Sequence, residues 1–379
     1  MDLGYKAIFL ALVLSQFAEG LFFFVTPFYL TSQGISLLDI GIIFSVAALA
    51  MVLMRILLGA YTDIRGRKLV FASSFLIQVV SSSFFPFVRN ILDTTPVKIM
   101  YDLGISVRGS LKSTIFFESA QKIYRKIIAW IDGAEHLMLA SVSFAAAFIL
   151  SILGYAGSYF LIALFQFIPF LIVMAAYKEK SNTSTSSRVS IKDMYNLDLR
   201  RNMWVIMFAT MLGLAGVRLS HGFAEPLYFQ AKYKLDATQI GLIIGLHRLS
   251  LALPLLFVGT IMHKLDVKKA FILSTVVMSL FLLAMGLVEN IFMALPLWLL
   301  HDVFGGSVFL PSIHVLTQLN ARDGKRGKDV NTMDLLSGLV GIVTPSLTGA
   351  LITVQWDLMF LVGGSLSFFG ALIVYLFYR

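Results

Sequence analysis

The feature that most constrains this chain is a series of long apolar segments separated by short polar loops. Each is close to the roughly 20 residues that a helix needs to cross a lipid bilayer. Hydrophobic residues make up 58% of the 379 residues and charged residues only 13%, whereas a soluble domain carries about 25% charged residues. The pattern predicts an all-α integral membrane protein. We place twelve spans at 6–30, 37–61, 69–88, 96–118, 128–153, 157–177, 203–229, 237–262, 270–288, 291–316, 333–353 and 357–378.

The loop charges predict how these spans are oriented. With twelve spans and both termini in the cytoplasm, 21 lysine and arginine residues fall on the inside and 4 on the outside, Lys98 among the latter. This asymmetry follows the positive-inside rule. It also supports the fourth span, which Asp102, Arg108 and Lys112 interrupt. We therefore expect a multi-pass protein of the plasma membrane, and its net charge of +9 needs no nucleic-acid partner to explain it.

The two halves of the sequence repeat each other at an offset of about 200 residues. Pro27–Leu30 matches Pro226–Phe229, and Gly104–Val107 matches Gly305–Val308. Each half holds six predicted spans, so the repeats run in the same direction through the membrane, and such parallel repeats build a substrate site at their interface. We divide the chain into an N-terminal six-helix bundle, a cytoplasmic linker and a C-terminal six-helix bundle at 1–180, 181–200 and 201–379.

The loop after the second span carries a recognisable motif, Gly-Ala-Tyr-Thr-Asp-Ile-Arg-Gly-Arg-Lys. It resembles the cytoplasmic signature of the major facilitator superfamily, although Ile64 stands where a basic residue is usual. The resemblance implies the major facilitator fold, with twelve transmembrane helices in two parallel six-helix repeats. It also implies that this loop holds the two halves together on the cytoplasmic side in the outward-facing state. The residues expected to form this gating motif are Gly59, Asp63, Arg65, Gly66, Arg67 and Lys68.

Ionisable residues are concentrated in particular spans. Because a charge inside the membrane is costly, such residues usually face a cavity or a partner. Spans one, four, seven, eight and ten contain them, and the apolar cores of spans three, six, nine and twelve do not. In the superfamily that the chain resembles, spans one, four, seven and ten line the central cavity. The predicted substrate-binding or proton-coupling residues are Glu19, Arg108, Lys112, Arg218, His221, Glu225, His247, Arg248, His301 and Asp302.

Within this set Glu19 is the first choice for proton coupling, because a carboxyl group in a low-dielectric site favours its neutral form. Asp302 and Glu225 are the alternatives, and the histidines can relay protons. In a continuous span seven, Arg218, His221 and Glu225 would share one face. Bases outnumber acids in the middle of the membrane, which favours an anionic or zwitterionic solute. The other interpretation is that Glu19 and Arg108 form a purely structural ion pair.

These features predict a secondary active transporter of a small polar solute, working by alternating access and coupled to protons as a symporter. The alternatives are a drug/proton antiporter and a non-transporting receptor or sensor on the same fold. We find no nucleophile–base pair, no phosphate-binding glycine loop and no His-x-x-Glu-His pattern, so we expect no enzymatic activity, no cofactor and no metal site. The expected partners are the solute, the proton and membrane lipid, with the protein as a monomer.

Overall fold

The computed structural model describes residues 3–65, 67–119, 124–178, 199–261, 264–322 and 326–379. Helices account for nearly all of these residues. In the N-terminal part they are α1 (Leu3–Ser32), α2 (Leu37–Arg65), α3 (Arg67–Phe84), α4 (Ile91–Ser119) and α5 (Tyr124–Ala176). In the C-terminal part they are α6 (Arg201–His221), α7 (Ala224–Tyr233), α8 (Ala237–Ile261), α9 (Val267–Met285), α10 (Ile291–His301), α11 (Ser307–Asn320), α12 (Arg326–Gly338), α13 (Val340–Val354) and α14 (Leu358–Phe377).

Ten segments of the described chain are long and apolar enough to cross a membrane. The two further spans expected from the sequence are both present as helix. Helix α5 continues through predicted spans five and six without a loop, and only Gly154, with φ of +62°, breaks its geometry. A positive φ favours glycine because no Cβ clashes with the backbone. The other span is α4, which is helical throughout although its charges lower its hydropathy.

The chain forms two compact units. One contains residues 1–184 together with 235–249, and the other contains 185–234 together with 250–379. In the first unit α1 packs on α5, and α4 packs on α2 and α3. In the second unit α14 packs on α6 and α9. The finer division at 1–180, 181–200 and 201–379 stays a prediction, and most of its linker lies outside the described residues.

Residues about 200 positions apart begin equivalent helices. The side-chain oxygen of Asn90 accepts from the backbone N–H of Leu92 at 2.9 Å, and that of Asn290 accepts from Phe292 at 2.8 Å. These contacts satisfy N–H groups that a helix start leaves without an internal partner. The duplication read from the sequence therefore extends to the chemistry of the helix starts.

Two predicted spans of the second half are interrupted. Predicted span seven is not continuous, because α6 ends at His221 and α7 begins at Ala224. The predicted common face of Arg218, His221 and Glu225 is therefore wrong for Glu225, which lies on α7. Predicted span ten contains a π-helical turn at Asp302–Gly306, between α10 and α11. Such turns are rare and occur frequently at functional sites.

Large apolar side chains cover much of the outer surface of the helices. Examples are Leu69 on α3, Leu164 on α5, Leu273 on α9 and Tyr375 on α14, all at least half exposed. Monomeric soluble proteins rarely expose apolar surface on this scale. These four side chains lie on predicted spans three, six, nine and twelve, whose cores carry no charge, as expected of helices that face lipid.

Candidate substrate and ion-coupling site

Helix α4 carries three buried or partly buried cations at successive levels, and each of them contacts a carboxylate. Lys98 pairs with Asp102 one turn further along the same helix. Arg108 pairs with Glu19 of α1, and Lys112 pairs with Asp132 and Glu135 of α5. Lys98 was counted with the outside charges at the outer end of the fourth span but is only 4% exposed. This pairing explains how so polar a helix is accommodated among apolar neighbours.

The pair between Glu19 and Arg108 is the central feature of the first unit. Nη2 of Arg108 donates to Oε1 of Glu19, and the Gln16 amide lies 3.4 Å from the other carboxylate oxygen. The guanidinium carbon also lies 4.6 Å from the centre of the Phe75 ring, a cation–π contact. Nη1 of Arg108 is buried and has no hydrogen-bond partner among the described residues. The guanidinium therefore keeps one donor group for a further acceptor.

Lys112 lies one helical turn beyond Arg108 and contacts two acids. Its Nζ is 2.9 Å from Oδ1 of Asp132 and 2.8 Å from Oε2 of Glu135. The carboxylate of Glu135 also acts electrostatically on Glu19. The sequence predicted Lys112 as a site residue but assigned Glu135 to interfacial solvation or helix capping at a span end, since one sequence does not show which acid on α5 faces α4.

In the second unit His221, His301 and Asp302 come together where the helices are interrupted. His221 is the last residue of α6, His301 is the last residue of α10, and Asp302 begins the π-helical turn. Nε2 of His221 lies 2.9 Å from Nε2 of His301, which lies 3.4 Å from Oδ1 of Asp302. The sequence predicted all three as site residues, and the structure places them in contact.

The four remaining predicted residues lie on α6, α7 and α8. The Arg218 guanidinium lies against Gly341, where an added Cβ would collide with it. Glu225 lies in the first turn of α7 and is 1% exposed. His247 and Arg248 lie on α8, where His247 is fully buried and the guanidinium carbon of Arg248 is 5.2 Å from the Phe23 ring centre.

The gating motif is described only in part. The backbone of Gly59, Asp63 and Arg65 belongs to the end of α2, and Gly66 lies outside the described residues. At the start of α3, Nζ of Lys68 donates to the carbonyl oxygen of Met174 in the last turn of α5, at 2.8 Å. A cation at the carboxyl end of a helix stabilises its dipole. The gating role of the motif stays a prediction.

The helices, their apolar surfaces and their internally paired charges define a polytopic α-helical membrane protein. Residues 203–379 match the family model of the Major Facilitator Superfamily. The uncharacterized MFS-type transporter YxaM of Bacillus subtilis (strain 168) is 28% identical over 160 residues. That alignment covers 42% of this chain and 37% of the relative, so the matched part is well under two thirds of that protein.

Similar folds are found among solved structures. The nucleoside transporter NupG superposes with a TM-score of 0.80 at 14% identity, covering 100% of both chains. A bacterial homologue of the iron transporter ferroportin, in an inward-facing state, gives 0.76 at 15% identity and covers 99% of this chain and 98% of the other. At such low identity the likeness shows the fold alone. These matches confirm both the resemblance to the superfamily and the major facilitator fold.

Proposed function

We propose that this chain is a proton-coupled secondary transporter that moves a small anionic or zwitterionic solute across the plasma membrane by alternating access. The observation that carries the proposal is the ion pair of Glu19 and Arg108, which lies midway along α1 and α4. The side chains of Arg108 and Glu19 are only 4% and 15% exposed. Such a pair is a costly way to stabilise a membrane helix, and buried charges in transporters mark ion and substrate pathways.

The pair can couple a proton to an anion through simple charge balance. While Glu19 is ionised, its carboxylate neutralises Arg108. When Glu19 takes up a proton, Arg108 remains as a cation in a low-dielectric site, where a buried charge without a counter-charge is destabilising. A carboxylate of the solute can then replace Glu19, and Nη1 of Arg108 offers it a second hydrogen bond. Proton and anion therefore bind together, which is the requirement for symport.

The groups around this pair come from α1, α4 and α5. Glu135 of α5 acts on Glu19 through its negative charge, while Lys112 of α4 partly offsets Glu135. The Tyr101 ring of α4 stacks on Phe22 of α1 at 3.6 Å between ring centres. Glu19 therefore lies between the cation of Arg108 and the negative charge of Glu135. Both termini are assigned to the cytoplasm on the loop charges.

Ligand binding tests this proposal without knowledge of the natural solute. Purified protein would be screened by thermal unfolding against mono- and dicarboxylates, amino acids and uncharged nucleosides, at an acidic and a neutral pH. We expect an ionised carboxylate to stabilise the wild type more at acidic pH, with an affinity change of up to about tenfold per pH unit for one linked proton. Glu19→Gln should bind it equally at both pH values, and Arg108→Gln should not bind it.

A control variant and two alternative outcomes make this screen decisive. Glu289→Gln is a matched control, because this glutamate is 83% exposed and far from α1 in the sequence, and it should keep the wild-type pH dependence. Binding of bulky apolar cations that survives Arg108→Gln would instead support the drug/proton antiporter. Stabilisation by the same carboxylate in both wild type and Arg108→Gln would contradict the anion site.

A further inference from the structure

The two histidines of the second unit are held in one orientation by backbone carbonyl groups. Nδ1 of His221 lies 2.8 Å from the carbonyl oxygen of Val217, and Nδ1 of His301 contacts the carbonyl oxygen of Trp298. A carbonyl oxygen only accepts hydrogen bonds, so these contacts fit the tautomer with the proton on each Nδ1. In each neutral imidazole Nε2 is then an acceptor with a lone pair. Metal-binding histidines are commonly fixed in this way by their second ring nitrogen.

The two Nε2 atoms nevertheless point at each other. They are 2.9 Å apart, and Oδ1 of Asp302 lies 3.4 Å from Nε2 of His301. Two lone pairs at this distance repel unless a cation lies between or beside them. The cluster is also screened from water, with His301 fully buried and Asp302 only 5% exposed. A positive charge shared by the three side chains would remove this repulsion.

We propose that His221, His301 and Asp302 bind a divalent first-row transition metal ion such as Zn²⁺ or Co²⁺. Their ligand atoms all lie within 4.8 Å of one another. Two imidazoles and a carboxylate suit these ions, whereas Mg²⁺ and Ca²⁺ prefer sites made of oxygen atoms. Two neutral histidines and one aspartate carry a single negative charge, which favours a cation. The sequence does not reveal this site because 80 residues separate the two histidines.

The backbone at Gly306 also affects the position of the Asp302 carboxylate. A Cβ added to Gly306 would lie 2.5 Å from Oδ1 of Asp302. The glycine thus leaves room for the carboxylate in its observed place. Gly306→Ala should displace this ligand without removing it, which gives a variant that keeps all three chemical groups. The inference concerns binding alone and does not depend on the proposed transport activity.

Titration with Co²⁺ tests the proposal on the full chain, purified without a polyhistidine tag. We expect one equivalent of Co²⁺ to bind with a visible absorption band, and Zn²⁺ to displace it. His301→Gln, Asp302→Asn and Gly306→Ala should each weaken binding at least about tenfold. His314→Gln is the matched control, since His314 is an exposed histidine on α11 of the same unit, and it should bind as the wild type does.

A second measurement uses the wild type alone, so it tests the proposal even if the variants fail to fold. X-ray absorption of the Zn²⁺-loaded wild type should show imidazole scattering with nitrogen and oxygen ligands at about 2.0–2.2 Å. The proposal is overturned if the wild type binds no Co²⁺ saturably, in which case the two histidines share a proton instead. It is equally overturned if His301→Gln and Asp302→Asn fold and bind Co²⁺ with wild-type affinity.

Discussion

The ammonium group of Lys112 and the carboxylate of Glu135 form an ion pair between α4 and α5, with Nζ 2.8 Å from Oε2. Glu135 is 8% exposed, so its negative charge depends on this partner. Removing one partner of a buried pair costs about 3–5 kcal/mol, because the other charge stays buried without compensation.

We therefore expect Lys112→Met to lower the free energy of unfolding by about 3–5 kcal/mol, measured by denaturant titration in detergent micelles. Asp132→Asn is the matched comparison, because this side chain is 49% exposed, and it should cost less than about 1 kcal/mol. Equal losses in the two variants would show that burial of Glu135 does not determine the contribution of the pair.

The close approach of α6 and α14 gives a second prediction. A Cβ added to Gly363 would lie 2.7 Å from the carbonyl oxygen of Gly216, which is closer than real Cβ contacts come. Small residues allow membrane helices to pack at this distance. Gly363→Ala should destabilise the protein by about 1–3 kcal/mol. Gly338→Ala, where a Cβ would meet no atom within 4 Å, should leave the unfolding temperature unchanged or raise it.

A third prediction concerns pH. Nζ of Lys232 is 2.5 Å from Oδ1 of Asp357. Burial favours the neutral form of Lys232, but the hydrogen bond to Asp357 and the nearby charges outweigh burial and raise the pKa of Lys232. A raised pKa in the folded state means that the stabilisation is complete below the unfolded pKa of about 10.4 and is lost as pH rises through the folded value.

Unfolding temperatures of wild type and Lys232→Gln should therefore differ most at neutral pH, and the difference should shrink above about pH 10.4. Lys269→Gln is the control, because Lys269 is 84% exposed and lies 3.8 Å from its partner Asp266. A difference between wild type and Lys232→Gln that stays constant up to strongly alkaline pH would contradict this assignment.

The sequence was sufficient to predict the helical membrane fold. It even predicted α4, whose hydropathy is low, because the distribution of loop charges requires a span at that position. It could not show how that helix is stabilised. The pairing of Lys98 with Asp102 has a spacing of four residues that could have been recognised. The contact between Glu19 and Arg108 joins residues 89 positions apart, so the sequence offered this pair only as an alternative interpretation.

The sequence also did not show that predicted spans seven and ten are interrupted. The predicted spans run without a polar loop through Gly222 and through the π-helical turn at Asp302–Gly306. A hydrophobic pattern records which residues avoid water, and it is insensitive to one turn of altered backbone. The contact of His221 with His301 depends on where these two helices end, so the sequence could name both residues but not their common site.

A double substitution separates a structural pair from a functional one. If Glu19 and Arg108 only stabilise the fold, each single variant should express poorly, and exchanging the two charges in Glu19→Arg with Arg108→Glu should restore expression. The proposed function instead predicts that Glu19→Gln folds, because glutamine can still accept a hydrogen bond from Arg108. Size-exclusion chromatography of the detergent-solubilised variants measures this directly.

The most direct test of the proposed coupling compares two kinds of uptake by Glu19→Gln in proteoliposomes, using the carboxylate selected by the thermal screen. Glutamine mimics the protonated acid permanently, so solute exchange across the membrane should continue. Accumulation driven by a pH gradient should be lost, because no proton is released with each cycle. Exchange at near the wild-type rate together with no gradient-driven accumulation is the predicted result. Gradient-driven accumulation at the wild-type level would contradict the assignment of Glu19 as the coupling group.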